Sequence, residues 1–371
     1  MVNVLYYSCF GALTGGGQRS LLMFLERMDR SRYKPVLVVP EDGELARKAG
    51  SLGIETAIES LPPISGVDIF APFRALGRVK KLIREKEITL VHTDSPRATL
   101  YFGIAARGFK IPLIWHVRVS DGEPFIYERV LYGLASGIIC VSERAARRFS
   151  GFPGLDDKIN IIYNGVDVRE FSPVHTTVSG HGKREDNSPI FAIIGALSPV
   201  KGHDVFIKAA AEVVKEFPGA RYSVIGGGTA AEEVAVRKLI GASGLSGKVD
   251  MPGHLSDMPA IMNGADIVVN SSRLEGFSRV VIEAMASGKP VIASDAGGNP
   301  EAVRDRQTGI IFRSGDIRAL AKAMKTLAGD PGLRSSMGRE GRKRAEDLFD
   351  INRNVKDTEN FYEEILKKNI S

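Results

Sequence analysis

The chain has 371 residues, 43% of them apolar and 25% charged, with a formal net charge of +6. That balance excludes a disordered tail, a collagen-like repeat and a disulfide-stapled mini-domain, and the length exceeds what one hydrophobic core usually organises. Only Cys9 and Cys140 are present, too few for a thiolate metal site, and the basic excess is spread through both halves rather than gathered into a nucleic-acid-binding stripe.

The opening reads as an apolar strand, Val2–Tyr7, a glycine loop holding Gly11, Gly15, Gly16 and Gly17, and an amphipathic helix from about Arg19 to Met28. Further strands are predicted at Pro35–Val39, Thr89–His92, Leu113–Val117, Gly137–Val141 and Ile159–Tyr163, with helices such as Phe73–Lys86 and Arg97–Arg107 between them. Alternating strand and helix implies a parallel, doubly wound sheet. Polar, aperiodic sequence over residues 173–189 then reads as a linker, with His175 and His181 inside it.

Beyond it the rhythm restarts. Strands are predicted at Ile190–Ile194, Arg221–Ile225, Ile267–Asn270 and Pro290–Ala293, and helices at His203–Glu216, Ala230–Gly241 and Ser278–Ser287. A charged helical tail, about Arg334–Lys368, closes the chain. The expected architecture is therefore α/β, with two Rossmann-like domains, residues 1–172 and 190–351, facing one cleft. The last helix, about 352–371, is expected to join the first domain.

The densest chemical signal lies in SSRLEGFSRVVIEAMASGKPVIASDAGGNPE, Ser271–Glu301. Glu275 precedes a helix and Glu283 lies within it eight positions later, so both carboxylates can share one face roughly 10–12 Å apart. That is too far for a shared proton and suits the two ends of an elongated, hydroxyl-rich ligand. Between them, the helix start offers free N–H groups of about Ser278 to Val281, where a phosphate binds readily. The bland alternative is a solvated Glu275 and a structural Glu283.

Other candidates follow. Lys201, opening a helix in GALSPVKGHD, is either a surface charge or the cation for a diphosphate. His203 reads as a helix cap. Gly15-Gly16-Gly17 lacks the GxGxxG spacing of a dinucleotide site, yet three glycines exceed what a turn needs and imply close backbone approach to a ligand. Gly226-Gly227-Gly228 ends another strand. His116 ends the apolar strand Leu113–Val117 on the side where α/β sheets bind ligands, and Arg118, on the same face, can meet a phosphate or an acceptor. No Asp-x-Asp and no His/Cys cluster with ligand spacing occurs, so no metal is expected.

In their order along the chain, the Gly15–Gly17 loop, His116, Asn164-Gly165-Val166-Asp167, Lys201-Gly202, Glu275-Gly276-Phe277 with Glu283, and Gly297-Gly298-Asn299-Pro300-Glu301 resemble the retaining nucleotide-sugar glycosyltransferases of group 1, or family 4. The resemblance covers nearly the whole chain and implies the GT-B fold, a nucleoside diphosphate sugar as donor and a carbohydrate or lipid-linked acceptor. It further implies that Glu275 contacts donor-sugar hydroxyls, that Glu283 binds the ribose, and that amides around Phe277, Ser278, Val280 and Val281 hold sugar and diphosphate. His116 is placed beside the donor sugar, and Gly253-His254 where base contacts are made. Asn164, Gly228, Gly276 and Arg279 complete the donor set, and Arg118 stands on the acceptor side. Family members commonly carry an arginine where this chain has Ala196, so the diphosphate is expected to lean on Lys201, the helix start and another basic residue such as Arg273 or Arg279.

The segment Phe73–Glu87 is basic and amphipathic, with Leu76, Val79 and Ile83 on one face; it either packs on the core or lies against an anionic membrane. No apolar run approaches the ~20 residues of a membrane span, and the N-terminus lacks a signal-peptide pattern. A cytoplasmic protein is the expectation, with peripheral contact at the inner membrane face as its option. Bacterial polysaccharide or glycolipid assembly is the expected setting. A nucleotide-sugar epimerase of the same architecture and a non-catalytic sugar-binding protein are the alternatives, separated from a transferase by their products.

Overall fold

The computed structural model describes residues 1–13, 15–63, 68–173 and 188–370. Two compact units divide the chain, Met1–Asn164 with Ile351–Ser371, and Gly165–Asp350.

The first unit is built on a seven-stranded parallel sheet: β1 (Val2–Tyr7), β2 (Tyr33–Val39), β3 (Glu55–Ile58), β4 (Leu90–Thr93), β5 (Leu113–Val117), β6 (Gly137–Cys140) and β7 (Ile159–Ile161). Its spatial order is β3-β2-β1-β4-β5-β6-β7. Helices cover both faces, which is why the inner strands read as largely apolar runs rather than as alternation. On one face Val4, Leu37, Leu90, Ile114 and Ile139 meet the helix Gly16–Arg27 and the C-terminal helix Ile351–Ile370. The C-terminal helix contributes Ile351, Val355, Phe361, Tyr362 and Ile365 to this core. A side chain at Gly137 would come within 2.7 Å of Ile365 and Phe361, so the glycine opens the room in which that helix lies.

The second unit has a six-stranded parallel sheet: β8 (Ile190–Ile194), β9 (Arg221–Ile225), β10 (Val249–Gly253), β11 (Ile267–Asn270), β12 (Val291–Ser294) and β13 (Gly309–Phe312), in the order β10-β9-β8-β11-β12-β13. Phe191, Ile193, Tyr222, Val224, Ile267 and Val269 bury one face beneath the helices His203–Val213 and Ile317–Gly329. Phe191 and Tyr222 stack with centroids 5.7 Å apart.

Three expectations are corrected. The charged tail is two helices, Pro331–Leu348 and Ile351–Ile370, and the break at Phe349–Asp350 is where the chain leaves the second unit. Residues 165–172, expected in the first domain, belong to the second unit: the Val166 N–H donates to the Phe349 carbonyl at 2.8 Å, and Arg342 donates to the Phe171 carbonyl. Finally, Gly16 and Gly17 form the first helical turn instead of a loop, with Gly15 at the cap position. The expected linker at 173–189, including His175 and His181, lies almost wholly outside the described residues.

The basic segment forms the helix Ala71–Glu85 and buries Ala75, Val79 and Ile83 in its own unit, leaving Arg74, Lys80, Lys81 and Arg84 on the exposed side. Among the described residues no helix is long and apolar enough to cross a membrane.

Candidate active site

In an open parallel sheet the strand order reverses at one point, and the loops leaving the two strands there splay apart to leave a crevice beyond their carboxyl ends. In the second unit that point falls between β8 and β11. The β8 loop carries Lys201 and the β11 loop carries Glu275, and the two side chains meet: Lys201 Nζ lies 2.9 Å from Glu275 Oε2, which also accepts from the Ser272 hydroxyl at 3.1 Å. Lys201 retains about a third of its side-chain exposure and Glu275 14%, so the pair sits at the mouth of the crevice.

Two glycines make this meeting possible. Gly202 ends the turn Pro199–Lys201 at φ +68°, and a Cβ there would stand 2.1 Å from the Ser271 carbonyl oxygen. Gly297 has φ +54°, and its Cβ would stand 1.8 Å from the Glu275 carbonyl oxygen. Both conformations and both clearances favour glycine. Gly276 is tied to the same loop, its carbonyl accepting from the Gly298 N–H at 2.8 Å.

Behind them lies a buried amide network. Asn270 Nδ2 donates to the Ser278 hydroxyl at 2.9 Å, and Asn270 Oδ1 accepts from the Ser272 N–H at 3.2 Å and from Asn299 Nδ2 at 3.3 Å. Ser278 is the residue before the helix Arg279–Ala286, and its side chain makes no capping bond. The backbone N–H groups of a first helical turn have no partner within the helix, so those of Val280 and Val281 start out as donors toward an anion. Phe277 is buried and packs its edge on Phe349 at 5.3 Å. Glu283 is also buried, and its carboxylate accepts from Arg279 Nη2 at 2.7 Å and Nε at 3.2 Å.

The supposed extra phosphate ligands are thus already engaged. Arg273 grips Asp204 through two bonds of 2.8 Å and the Pro199 carbonyl at 2.7 Å, and this guanidinium holds the Asp204 carboxyl below its usual range. It clamps the β8 loop to the β11 loop. Arg279 is spent on orienting Glu283. His203 does not cap its helix either: the cap position is Gly202, and both His203 ring nitrogens are buried without a hydrogen-bond partner among the described residues. Burial lowers its pKa to about 4.

At the edge of β9, Gly228 lies so close to Leu197 and Glu232 that a Cβ would be 2.8–2.9 Å from them. The exposed His254 follows β10 and lies beside Gly227, 3.6 Å from where a Cβ there would be.

In the first unit the order reverses between β1 and β4. Gly17 follows β1, Asp94 follows β4, and His116 and Arg118 stand at the end of β5. Arg118 Nε lies 3.7 Å from Asp94 Oδ2 and Arg118 Nη1 donates to Asn164 Oδ1 at 3.5 Å. A Cβ on Gly17 would lie 3.5 Å from Arg118 Cδ. His116 is buried; its Nδ1 is 3.1 Å from His92 Nε2, and its Nε2 has no hydrogen-bond partner among the described residues. Burial and the nearby Arg118 charge push the pKa of His116 well down and that of His92 to about 3, so both rings are neutral. Burial raises the Asp94 carboxyl against the pull of Arg118.

His92, Asp94 and Tyr362 escaped sequence reasoning. The first two end the strand beside the reversal point, a signal that the strand order alone would have supplied. Tyr362 gave none. Among the described residues no three His, Cys, Asp or Glu side chains gather as a metal ion would require.

Residues 177–344 match the description of glycosyl transferases group 1, and residues 14–170 that of glycosyltransferase family 4. The chain belongs to the group 1, family 4 glycosyltransferases. Among its family relatives, the D-inositol 3-phosphate glycosyltransferase of Nocardia farcinica is 30% identical over 71% of this chain and 58% of its own length. The chain spans under two thirds of that relative's length and of several others, down to 46%. The capsular polysaccharide biosynthesis glycosyltransferase CapM of Staphylococcus aureus is 24% identical over 91% of this chain and 92% of its own. The crystal structure of HepE from Anabaena in complex with UDP superposes with a TM-score of 0.85 at 23% identity, covering 98% of this chain and all of that one. This likeness fixes the fold of the family member as GT-B.

Proposed function

We propose that this family member transfers a sugar from a nucleoside diphosphate donor to an acceptor hydroxyl with retention of anomeric configuration, in polysaccharide or glycolipid assembly. The observation that carries the reading is the paired set at the β8/β11 reversal point, Lys201–Glu275 on its loops and Arg279–Glu283 on the helix that follows β11. Two carboxylate–cation pairs flanking a helix start suit a ligand with a sugar at one end, a ribose at the other and a diphosphate between. UDP in the HepE structure and the capsular role in the name of CapM support the donor class and the setting.

In this reading Glu283, oriented by Arg279, accepts from the ribose hydroxyls. The helix start at Val280 and Val281 and the Lys201 ammonium meet the diphosphate, whose charge grows as the bond to the anomeric carbon breaks. Lys201 exchanges part of its attraction for Glu275 against the phosphate, and Glu275 turns to sugar hydroxyls. Positive charge placed in advance where negative charge develops is the largest usual source of rate, and here no metal ion is needed to supply it. His116 offers its ring to a sugar hydroxyl. The acceptor oxygen bonds to the anomeric carbon on the face the phosphate leaves, and its proton passes to a departing phosphate oxygen.

A thermal-shift panel of UDP, GDP, ADP and their sugars in EDTA tests the donor. A nucleotide at 100 times its Kd stabilises the fold by about 2.7 kcal/mol. Stabilisation by one nucleotide, followed by an α-linked product from an α-linked donor in NMR, is the expected result. An epimerised nucleotide sugar, or binding with no product under any acceptor, would replace this reading with one of its alternatives.

A further inference from the structure

Tyr6, His92 and His116 lie on the same face of three neighbouring strands. Tyr6 is in direct register with His92 across β1 and β4, and His92 with Ile114 across β4 and β5, which sets His116 one side chain further toward the carboxyl edge. Tyr362 descends onto this face from the C-terminal helix, its ring edge-on to His92. The result is a continuous buried chain. Met28 Sδ is 3.9 Å from the Tyr6 hydroxyl, which is 3.1 Å from the Tyr362 hydroxyl; this lies 2.5 Å from His92 Nδ1, and His92 Nε2 lies 3.1 Å from His116 Nδ1.

Counting protons gives the chain a direction. Burial keeps both phenols protonated, and both imidazoles are neutral, so four groups hold one proton each. At one end a thioether can only accept. If Tyr6 donates to Met28, then Tyr362 donates to Tyr6, His92 Nδ1–H to Tyr362, and His116 Nδ1–H to His92. Four protons then make four bonds. The opposite direction makes three, wastes the sulfur, and leaves His116 with a buried Nε2–H that has no acceptor. Orphaned buried N–H groups are rarer than under-used acceptors, so both ends select the first direction.

We propose that Tyr362, His92, Tyr6 and Met28 are positioning residues that fix His116 as the Nδ1–H tautomer and so present Nε2 as a bare acceptor to a ligand hydroxyl. The site built at the end of β5 is thereby selective for a donor group. A sugar hydroxyl fits; an unprotonated oxygen, such as a phosphate oxygen, is repelled by the lone pair. That the hydroxyl belongs to a donor sugar rests on the proposed function, whereas the tautomer does not.

The test is two-bond nitrogen–proton NMR on the full-length chain with labelled histidine, the His116 signals being assigned by their loss in His116→Gln. Ligand-free wild type is expected to show a pyrrole-type Nδ1 and a pyridine-type Nε2 at His116; the reverse pattern overturns the proposal without requiring any variant to fold. Tyr6→Phe removes the acceptor that Tyr362 uses. Either direction then makes two bonds and leaves one donor unpaired, at Tyr362 or at His116, so His116 is expected to populate both tautomers instead of the Nδ1–H form alone. An unchanged His116 pattern in Tyr6→Phe, with the other histidine signals native, shows that the chain does not direct the tautomer. Addition of a nucleotide sugar separates the two ideas: a perturbed pyridine-type Nε2 supports hydroxyl binding, while the expected tautomer with no response to any nucleotide sugar leaves the tautomer standing and removes the donor reading.

Discussion

The two units share a topology and differ in what they place at its reversal point. The second unit sets out full charges in opposed pairs: Lys201 against Glu275, Arg279 against Glu283, Arg273 against Asp204. The first sets out neutral groups in series, Tyr6, Tyr362, His92 and His116, with one cation, Arg118, beside Asp94 and Asn164. The difference teaches that an α/β edge fixes where a ligand can sit and leaves its kind to the loops. Charges that can be traded suit a polyphosphate. An uncharged chain of fixed polarity that ends on an acceptor suits a hydroxyl, because a hydroxyl can donate to it and an unprotonated phosphate oxygen cannot.

The sharpest way to break the contrast is at Glu283. Glu283→Ala takes the buried carboxylate away from the Arg279 guanidinium, and removing one partner of a largely buried pair costs about 3–5 kcal/mol. Chemical denaturation should show that loss, and nucleotide should no longer stabilise the variant. A fold as stable as wild type would mean that the pair is wetter than its burial indicates.

Lys201→Met should act on rate instead. Loss of one preorganised charge or donor costs about 10²–10³ in turnover, while the partly exposed pair adds little to stability. If turnover falls less than tenfold, the helix start carries the phosphate by itself.

Acid should expose the neutral side of the contrast. His92 and His203 titrate near 3 and 4 when folded and His116 well below its usual value, yet all three regain a pKa near 6.5 on unfolding. Below that value the unfolded chain binds more protons than the native one, so stability is full above about pH 6.5 and falls as the pH drops toward 4. The slope approaches about 1.4 kcal/mol per pH unit for each histidine. Melting temperatures from pH 7.5 to 5 check this, and a smaller slope in His203→Gln assigns its share.

The smallest effect is expected at Arg273→Ala. Its pair with Asp204 is exposed on both sides, and such pairs are worth about 0.2–1 kcal/mol. Turnover near wild type with slight destabilisation would confirm a clamp; a large loss of nucleotide binding would return Arg273 to the phosphate.

Much of this was written locally. Strands β1, β5, β8, β9 and β11 could be bounded from their apolar runs because burial on both faces demands unbroken hydrophobicity. The edge elements were not legible. β3 alternates between half-buried and exposed residues, and β10 does the same and carries Pro252 and Gly253, so neither has the composition of an inner strand. The long tail read as one helix because charge patterning is blind to the Phe349–Asp350 break, which packing imposes.

Sequence by itself determined the family motifs, their order, the two α/β repeats and the candidacy of Glu275, Glu283, Lys201 and His116, since each signal is contained within about one strand–loop–helix segment. Tertiary structure decided the partners. Lys201 and Glu275 are 74 positions apart, and His92 and Tyr362 are 270 apart. Arg279 and Glu283 are an i,i+4 pair on one helix and so a local signal, whereas nothing local shows that Arg273 clamps two loops. Hydrogen bonds and ion pairs of this range are set by which strands become neighbours, and strand order is a property of the whole sheet.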